Sequence, residues 1–505
     1  MTDERRADSR TPDGAQPGRG LGPRTAAALV FGSSAAVLVV EIVALRLLAP
    51  YFGLTLETST LVIGIALAAI AFGAWAGGRA ADHVPPRRLL APFLGISGAA
   101  VAATPFLVRG TAAAGDGALL LLVAALSILV PGSLLSAVTP AVIKLRLSGL
   151  HETGTVVGRL SGIGTVGAIV GTVFTGFVLI SRVPVSGILV GLGVALLAAS
   201  LVVGPSGGRG RRDVALATAV ALAGLGAVAA PGGCDVETTY HCLTLEEDPE
   251  RDTGRVLRLD GVRHSYVDLA DPTYLDFDYV QAVASVIDTA YPPGEAVRAY
   301  HLGGGGLTIP RYLDHVRPGT TSVVSEIDAG VVQVDTERLG HTLGDGIDVR
   351  VEDGRLAMEE LRPGSFDLVV GDAFGGVSVP WHLTTVEALT GVRRVLDNDG
   401  VYVANLIDHG PLAFARAAVR TTTEVFEHVA LLAAPPVLGR EDGGNLVVVA
   451  SDDPIDLDAV ASSIDGRGTE WAPLAGAGLT RWVDGAPVLT DDFAPVDQLL
   501  TPYGS

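Results

Sequence analysis

The chain has 505 residues, 49% of them hydrophobic, and a mean hydropathy of +0.44, which excludes an ordinary water-soluble protein of this size. Residues 1–232 carry 17 Lys and Arg against 10 Asp and Glu, whereas residues 233–505 carry 18 against 45. The resulting charges of +7 and −27 predict two regions in two environments, and the acidic region offers no basic surface for nucleic acid.

Residues 1–24 are polar and rich in Gly, Pro and Arg, a composition that predicts a disordered tail. Seven apolar runs follow, at 25–48, 58–79, 89–108, 117–142, 158–180, 185–204 and 214–231. A hydrocarbon layer of about 30 Å needs roughly 17–25 apolar residues per helix. The runs lack the polar stripe of a soluble bundle, so 25–231 is expected to be a transmembrane domain in a lipid bilayer. The first run is too long for the core of a signal peptide and has no small-residue cleavage site, so it reads as a retained helix. With a cytoplasmic N-terminus, 14 basic residues fall on the cytoplasmic side and only Arg46, Arg109 and Arg182 on the other. Seven spans then carry residue 232 onward to the extracytoplasmic side of a multi-pass cell-membrane protein.

Within the first run, Glu41 stands five residues before Arg46. A carboxylate at membrane depth needs a partner or a cavity. Glu41 therefore marks a proton or ligand site, a structural pair with Arg46, or a polar residue sealed between helices. The fifth run, Gly158 to Gly171, repeats small residues at spacings of three and four, a pattern for close helix packing.

The only two cysteines, Cys234 and Cys242, follow the last apolar run in "CDVETTYHC". One small disulfide ring fits an oxidising compartment. A metal pair with His241 and two idle thiols are the alternatives; no further ligands cluster there, so no metal is expected.

Residues 232–290 read as a small β domain with a linking helix. Short alternating runs are separated by turn signals at Asp252-Thr-Gly254 and Asp260-Gly261. From 291 to 505 apolar strands alternate with amphipathic helices, which predicts a doubly wound, mainly parallel Rossmann-like sheet. Ligands of such sheets sit beyond the C-terminal strand ends. The first strand leads into "HLGGGGLTIPR", where Gly303, Gly304 and Gly305 let a ligand approach the backbone. The next strands end in acids: Glu326 and Asp328, then Asp353, then Asp372. Each lone Asp is also a good helix N-cap. An acid after the second strand suits a ribose diol, and one after the third suits an exocyclic amine. That logic fits an S-adenosyl ligand, since the Gly-x-Gly-x-x-Gly spacing of dinucleotide folds is absent.

These motifs resemble those of spermidine synthases, the polyamine aminopropyltransferases, over about 238–450. "GGGG" resembles the family's Gly-Gly-Gly-Asp-Gly loop, "SEID" its Glu-Ile-Asp, "EDG" its Gly-Asp-Gly, and "VVGDAF" the strand that ends in the catalytic Asp. "RHS" resembles the substrate-gripping hairpin, with His264 where the family usually has Gln. "EIVALRLLAPYFG", "GAWAGGRAAD" and "LTDDFAPVDQL" resemble segments of membrane-fused bacterial members.

The resemblance implies a multi-pass helical bundle joined to a methyltransferase-like α/β domain. It implies aminopropyl transfer from decarboxylated S-adenosylmethionine, as co-substrate, to a small-molecule amine. It puts Glu326 on the ribose, Asp353 near adenine and Asp372 in the role of base, with Tyr240, His264 and Tyr274 as pocket residues. His241 reads as a strand-face residue. Two acids of the family pattern are missing: the loop Asp is Gly306 and the second Asp after Asp372 is Gly375. Three readings stay open: a membrane-tethered transferase, a catalytically degenerate nucleoside- or amine-binding module, and an amine transporter with an accessory domain. A homo-oligomer is compatible with each.

Overall fold

The computed structural model describes residues 21–52, 56–115, 117–147, 152–180, 182–203, 234–341, 346–376 and 379–501. Most of the expected tail at 1–24 and the seventh apolar run at 214–231 lie outside them. Two compact units emerge: residues 1–44 with 62–230, and residues 45–61 with 231–505.

The first unit is helical. Its elements are α1 (Pro23–Phe52, whose end belongs to the second unit), α2 (Leu56–His83), α3 (Pro86–Ala113), α4 (Gly117–Ser136), α5 (Val138–Arg146), α6 (Thr153–Phe174) and α7 (Val185–Val203). With α4 and α5 counted as one stretch, six helices among the described residues are long and apolar enough to cross a membrane. Their contacts depend on small residues. A side-chain carbon at Gly167 or Gly171 of α6 would collide with the backbone of Phe31 or Ala35 on α1. Gly98 and Gly193 bring α3 against α7 in the same way. Large apolar side chains such as Leu67, Trp75 and Ile169 stay exposed.

The second unit holds two sheets. The small one is antiparallel in the order β1 (Val236–Glu237), β2 (Cys242–Asp248), β3 (Arg251–Leu259) and β4 (Val262–Asp268). The β3–β4 turn is Asp260-Gly261, with positive φ at both residues. The β2–β3 turn lies at Pro249-Glu250, not at Asp252-Thr-Gly254, which is strand. Gly254 is needed inside β3 because the Tyr266 hydroxyl fills the space a side chain would take. Cys234 and Cys242 are joined by a disulfide beside this sheet.

The large sheet contains β5 (Arg298–Leu302), β6 (Thr321–Glu326), β7 (Ile347–Val351), β8 (Phe366–Gly371), β9 (Leu396–Asp408), β10 (His428–Ala433), β11 (Gly444–Ser451) and β12 (Ala472–Ala475), in the order β12-β10-β11-β9-β8-β5-β6-β7. Strands β9, β8, β5, β6 and β7 pair in parallel, and the remaining pairings are antiparallel. Its helices are α8 (Asp278–Ala290), α9 (Thr308–Val316), α10 (Ala329–Glu337), α11 (Gly354–Glu360), α12 (Val386–Val395), α13 (Ala413–Thr423) and α14 (Leu457–Gly466). Alternation along each strand divides the core. Leu368 and Val370 pack with α8 and α14, whereas Val369 packs with α11 and α12 on the other face. The parallel strands therefore share one C-terminal edge, where ligands of such sheets bind.

Candidate active site

At that edge lies a cavity of about 600 Å³. Gly303, Gly304, Gly305, Glu326, Asp353, Asp372 and His264 all line it. The three glycines come from the loop after β5, Glu326, Asp353 and Asp372 from the ends of β6, β7 and β8, and His264 from β4 of the small sheet.

The loop is built by close approach. Gly303 has a φ of 98°, and a side-chain carbon there would run into the carbonyl oxygen of Asp372. Gly303→Ala is therefore expected to lower the thermal midpoint; an unchanged midpoint would show that the loop tolerates a side chain. Gly306 has a φ of 76°, and Ser265 of β4 occupies the direction of any side chain. The position that carries Asp in the resembling family is thus closed by a neutral hydroxyl. Leu307 follows in a left-handed conformation with φ of 52°, a strained state for a branched residue.

Glu326 is tied to the loop. One of its oxygens accepts from the Gly304 amide at 2.8 Å and the other from the Asp328 amide at 2.9 Å. Burial raises its carboxyl, and these two amides partly offset that rise. Each oxygen keeps a lone pair for a ligand hydroxyl. Asp328, only two residues on, does not line the cavity. It caps α10 through the Gly330 amide and accepts from the Thr238 hydroxyl, so its role is structural. Asp353 does both jobs. Its Oδ1 accepts from the amides of Arg355 and Leu356 at the start of α11, while its Oδ2 stands 3.7 Å from His382 Nε2 at the cavity.

Asp372 sits one residue past β8. Its Oδ1 accepts from Asn405 Nδ2 at 2.9 Å and its Oδ2 from the Tyr279 hydroxyl at 3.1 Å. Asn445 in turn donates to Asn405 at 3.0 Å. Burial pushes the Asp372 carboxyl up to about 6, against the pull of the Asn405 and Tyr279 hydrogen bonds. A carboxylate near neutrality, oriented by two donors, can take a proton at neutral pH. His264 presents an Nε2 with no hydrogen-bond partner. Burial, and then the neighbouring His241, push its imidazole down to about 4, so it is neutral at pH 7.

Two expected pocket residues are corrected. Tyr240 is 40% exposed and does not line the cavity; the β1–β2 connection turns its ring away, and its amide and carbonyl serve Asp328 and Arg46. Tyr274 is likewise absent from the lining and lies under the Arg251 guanidinium. The guanidinium of Arg46 donates to the carbonyl oxygens of Thr238 and Tyr240. His241, read as a strand-face residue, lines the cavity, with Nδ1 2.8 Å from Asp260.

Sequence reasoning missed four residues. Tyr279 and Asn405 come from segments far from Asp372, whereas His382 follows it closely and meets Asp353 only through the fold. Asp335 lies buried in α10 and accepts from the Gly306 amide at 3.0 Å. Burial raises its carboxyl well above the ordinary range. Its place seven residues after Asp328 on a helix was the available signal.

No family model matches the chain. Over 220 residues it is 26% identical to a polyamine aminopropyltransferase of Vibrio vulnificus, which covers 41% of this chain and 71% of that one. Over 187 residues it is 29% identical to an N-terminal histidine N-methyltransferase of Emericella nidulans, covering 35% of this chain and 32% of the other. The crystal structure of a probable spermidine synthase from Corynebacterium glutamicum aligns at 30% identity over 51% of this chain and 95% of its own, with a TM-score of 0.48. The sheet is that of a methyltransferase-like α/β domain, and the curated relatives are transferases. Within that class, the similarity to polyamine aminopropyltransferases supports the spermidine synthase family.

Proposed function

We propose that the chain is a membrane-anchored aminopropyltransferase of the fused bacterial kind, with decarboxylated S-adenosylmethionine as donor and an amine as acceptor. The observation that carries this reading is Asp372, raised to about 6 and held by Tyr279 and Asn405 in the cavity that also holds Glu326 and the glycine loop. Glu326 would accept from the ribose hydroxyls and Asp353 from the adenine amine. Asp372 would take a proton from the acceptor ammonium. The freed nitrogen pair then forms a bond to the methylene next to the sulfonium. The carbon–sulfur bond breaks with its pair on sulfur, and 5′-methylthioadenosine leaves as a neutral thioether. Holding the two reactants in line contributes much of the acceleration. The full chain in detergent micelles, given donor and amine, should release 5′-methylthioadenosine in step with an aminopropylated product. Release without that product would leave only hydrolysis.

We place the N-terminus in the cytoplasm and the second unit outside it. The 14-to-3 distribution of basic residues supports the first, and the apolar run at 214–231 together with the Cys234–Cys242 bond supports the second. Non-reducing peptide mapping from native membranes should recover Cys234 joined to Cys242; two alkylatable thiols would count against both bond and sidedness.

A second reading, nucleoside or amine binding without turnover, draws on separate facts. Gly306 and Gly375 supply no counter-charge, and sulfonium nucleosides are made in the cytoplasm. Tight 5′-methylthioadenosine binding without transfer to any amine would favour it.

A further inference from the structure

The cavity extends past Asp372 toward the antiparallel side of the sheet, and its wall changes character there. Asn405 and Ile407 of β9, Ala434 after β10, Val437, Asn445 of β11 and Trp471 before β12 form it. None of these six carries a charge. The other side differs, since Glu326, Glu352 and Asp353 all stand at the ends of β6 and β7. Sheet order thus separates an anionic half from a neutral half, with Asp372 on β8 between them.

Displacement at a carbon beside a sulfonium is in line, so the nucleophile enters opposite the departing sulfur. A nucleoside held over β5, β6 and β7 leaves the β8 side to the acceptor. The acceptor nitrogen then meets Asp372, and the rest of the molecule lies against Ile407, Val437 and Trp471. A second ammonium placed there would be buried without a counter-charge, which is strongly unfavourable. Two other carboxylates line the cavity just before and at the start of α8. Asp276 is paired with Arg263 at 2.9 Å, and Asp278 is exposed to water, where a carboxylate attracts a cation only weakly.

We infer that the acceptor is a primary amine with one positive charge and an apolar tail, not a diamine. This rests on the transferase reading of the site. In the reaction one N–C bond forms, one C–S bond breaks with its electrons kept by sulfur, and one proton leaves through Asp372.

The test is calorimetry on the full chain in detergent micelles, with and without 5′-methylthioadenosine, titrating butylamine, 2-phenylethylamine and 1,4-diaminobutane at pH 7.5. Both monoamines should bind at least tenfold tighter than the diamine. A diamine affinity within tenfold of theirs, or no amine binding at all, overturns the inference. Monoamine preference in binding, without transfer to any acceptor, would sink the transferase reading and overturn the acceptor role, leaving only a cavity selective for monoamines.

Discussion

Asp372→Asn should leave a folded protein that still binds 5′-methylthioadenosine but transfers aminopropyl groups about 10²–10⁴-fold more slowly, the usual loss when a general base is removed. The amide keeps the shape and can bond to the Tyr279 and Asn405 side chains that orient the carboxylate. It cannot accept the acceptor's proton. The raised carboxyl also sets the pH dependence. Transfer needs the ionised form, so kcat/KM should climb with pH through about 6. Stability runs the other way. The folded state binds this proton more tightly than the unfolded chain does, so its contribution is full below 3.8 and is lost as pH rises through about 6. That displacement corresponds to roughly 3 kcal/mol at pH 7. The Asn variant should therefore melt higher than the parent at pH 7.5, and the gap should close as pH falls toward 4. An unchanged kcat would remove Asp372 from the mechanism. An unchanged melting difference across that range would remove the burial argument.

Glu326→Gln should weaken 5′-methylthioadenosine binding by about 10²-fold or more. Hydrogen bonds to a charged acceptor contribute about 1.5–3 kcal/mol each, and the proposed ribose contact has two. The variant carries a second penalty. Both oxygens of Glu326 accept backbone amides, from Gly304 and Asp328, so an amide nitrogen must face an N–H donor. The glycine loop loses an anchor together with the ligand. Calorimetry reads the change, with circular dichroism as the check on folding. Affinity within threefold of the parent would place the ribose elsewhere.

The sequence made the sheet legible because its strands are short apolar runs bounded by glycine and acids, and the helices between them are amphipathic. The glycine loop was legible for the same reason: four glycines after a buried strand have few other uses. The division of labour between Glu326 and Asp328 was not. Both sit in "SEID", and only the turn into α10 decides that one faces the cavity while the other caps the helix. Tyr279 and Asn405 lie 93 and 33 residues from Asp372 along the chain, so nothing local marks them as its partners. Ser265 closing the space at Gly306 is a contact between two sheets, which no local spacing can encode. Tyr240 failed for a local reason: the residue sits in the bend between β1 and β2, outside either strand. In the first unit, length and apolarity sufficed for six runs, and the glycine spacing of α6 foretold its close approach to α1.

The most direct trial of the account is an experimental structure of the full chain with 5′-methylthioadenosine bound. Ribose hydroxyls on Glu326, the adenine amine at Asp353 and sulfur facing Asp372 across a single cavity are the arrangement expected. A nucleoside bound elsewhere, or bound with Asp372 turned away from its sulfur, would contradict it.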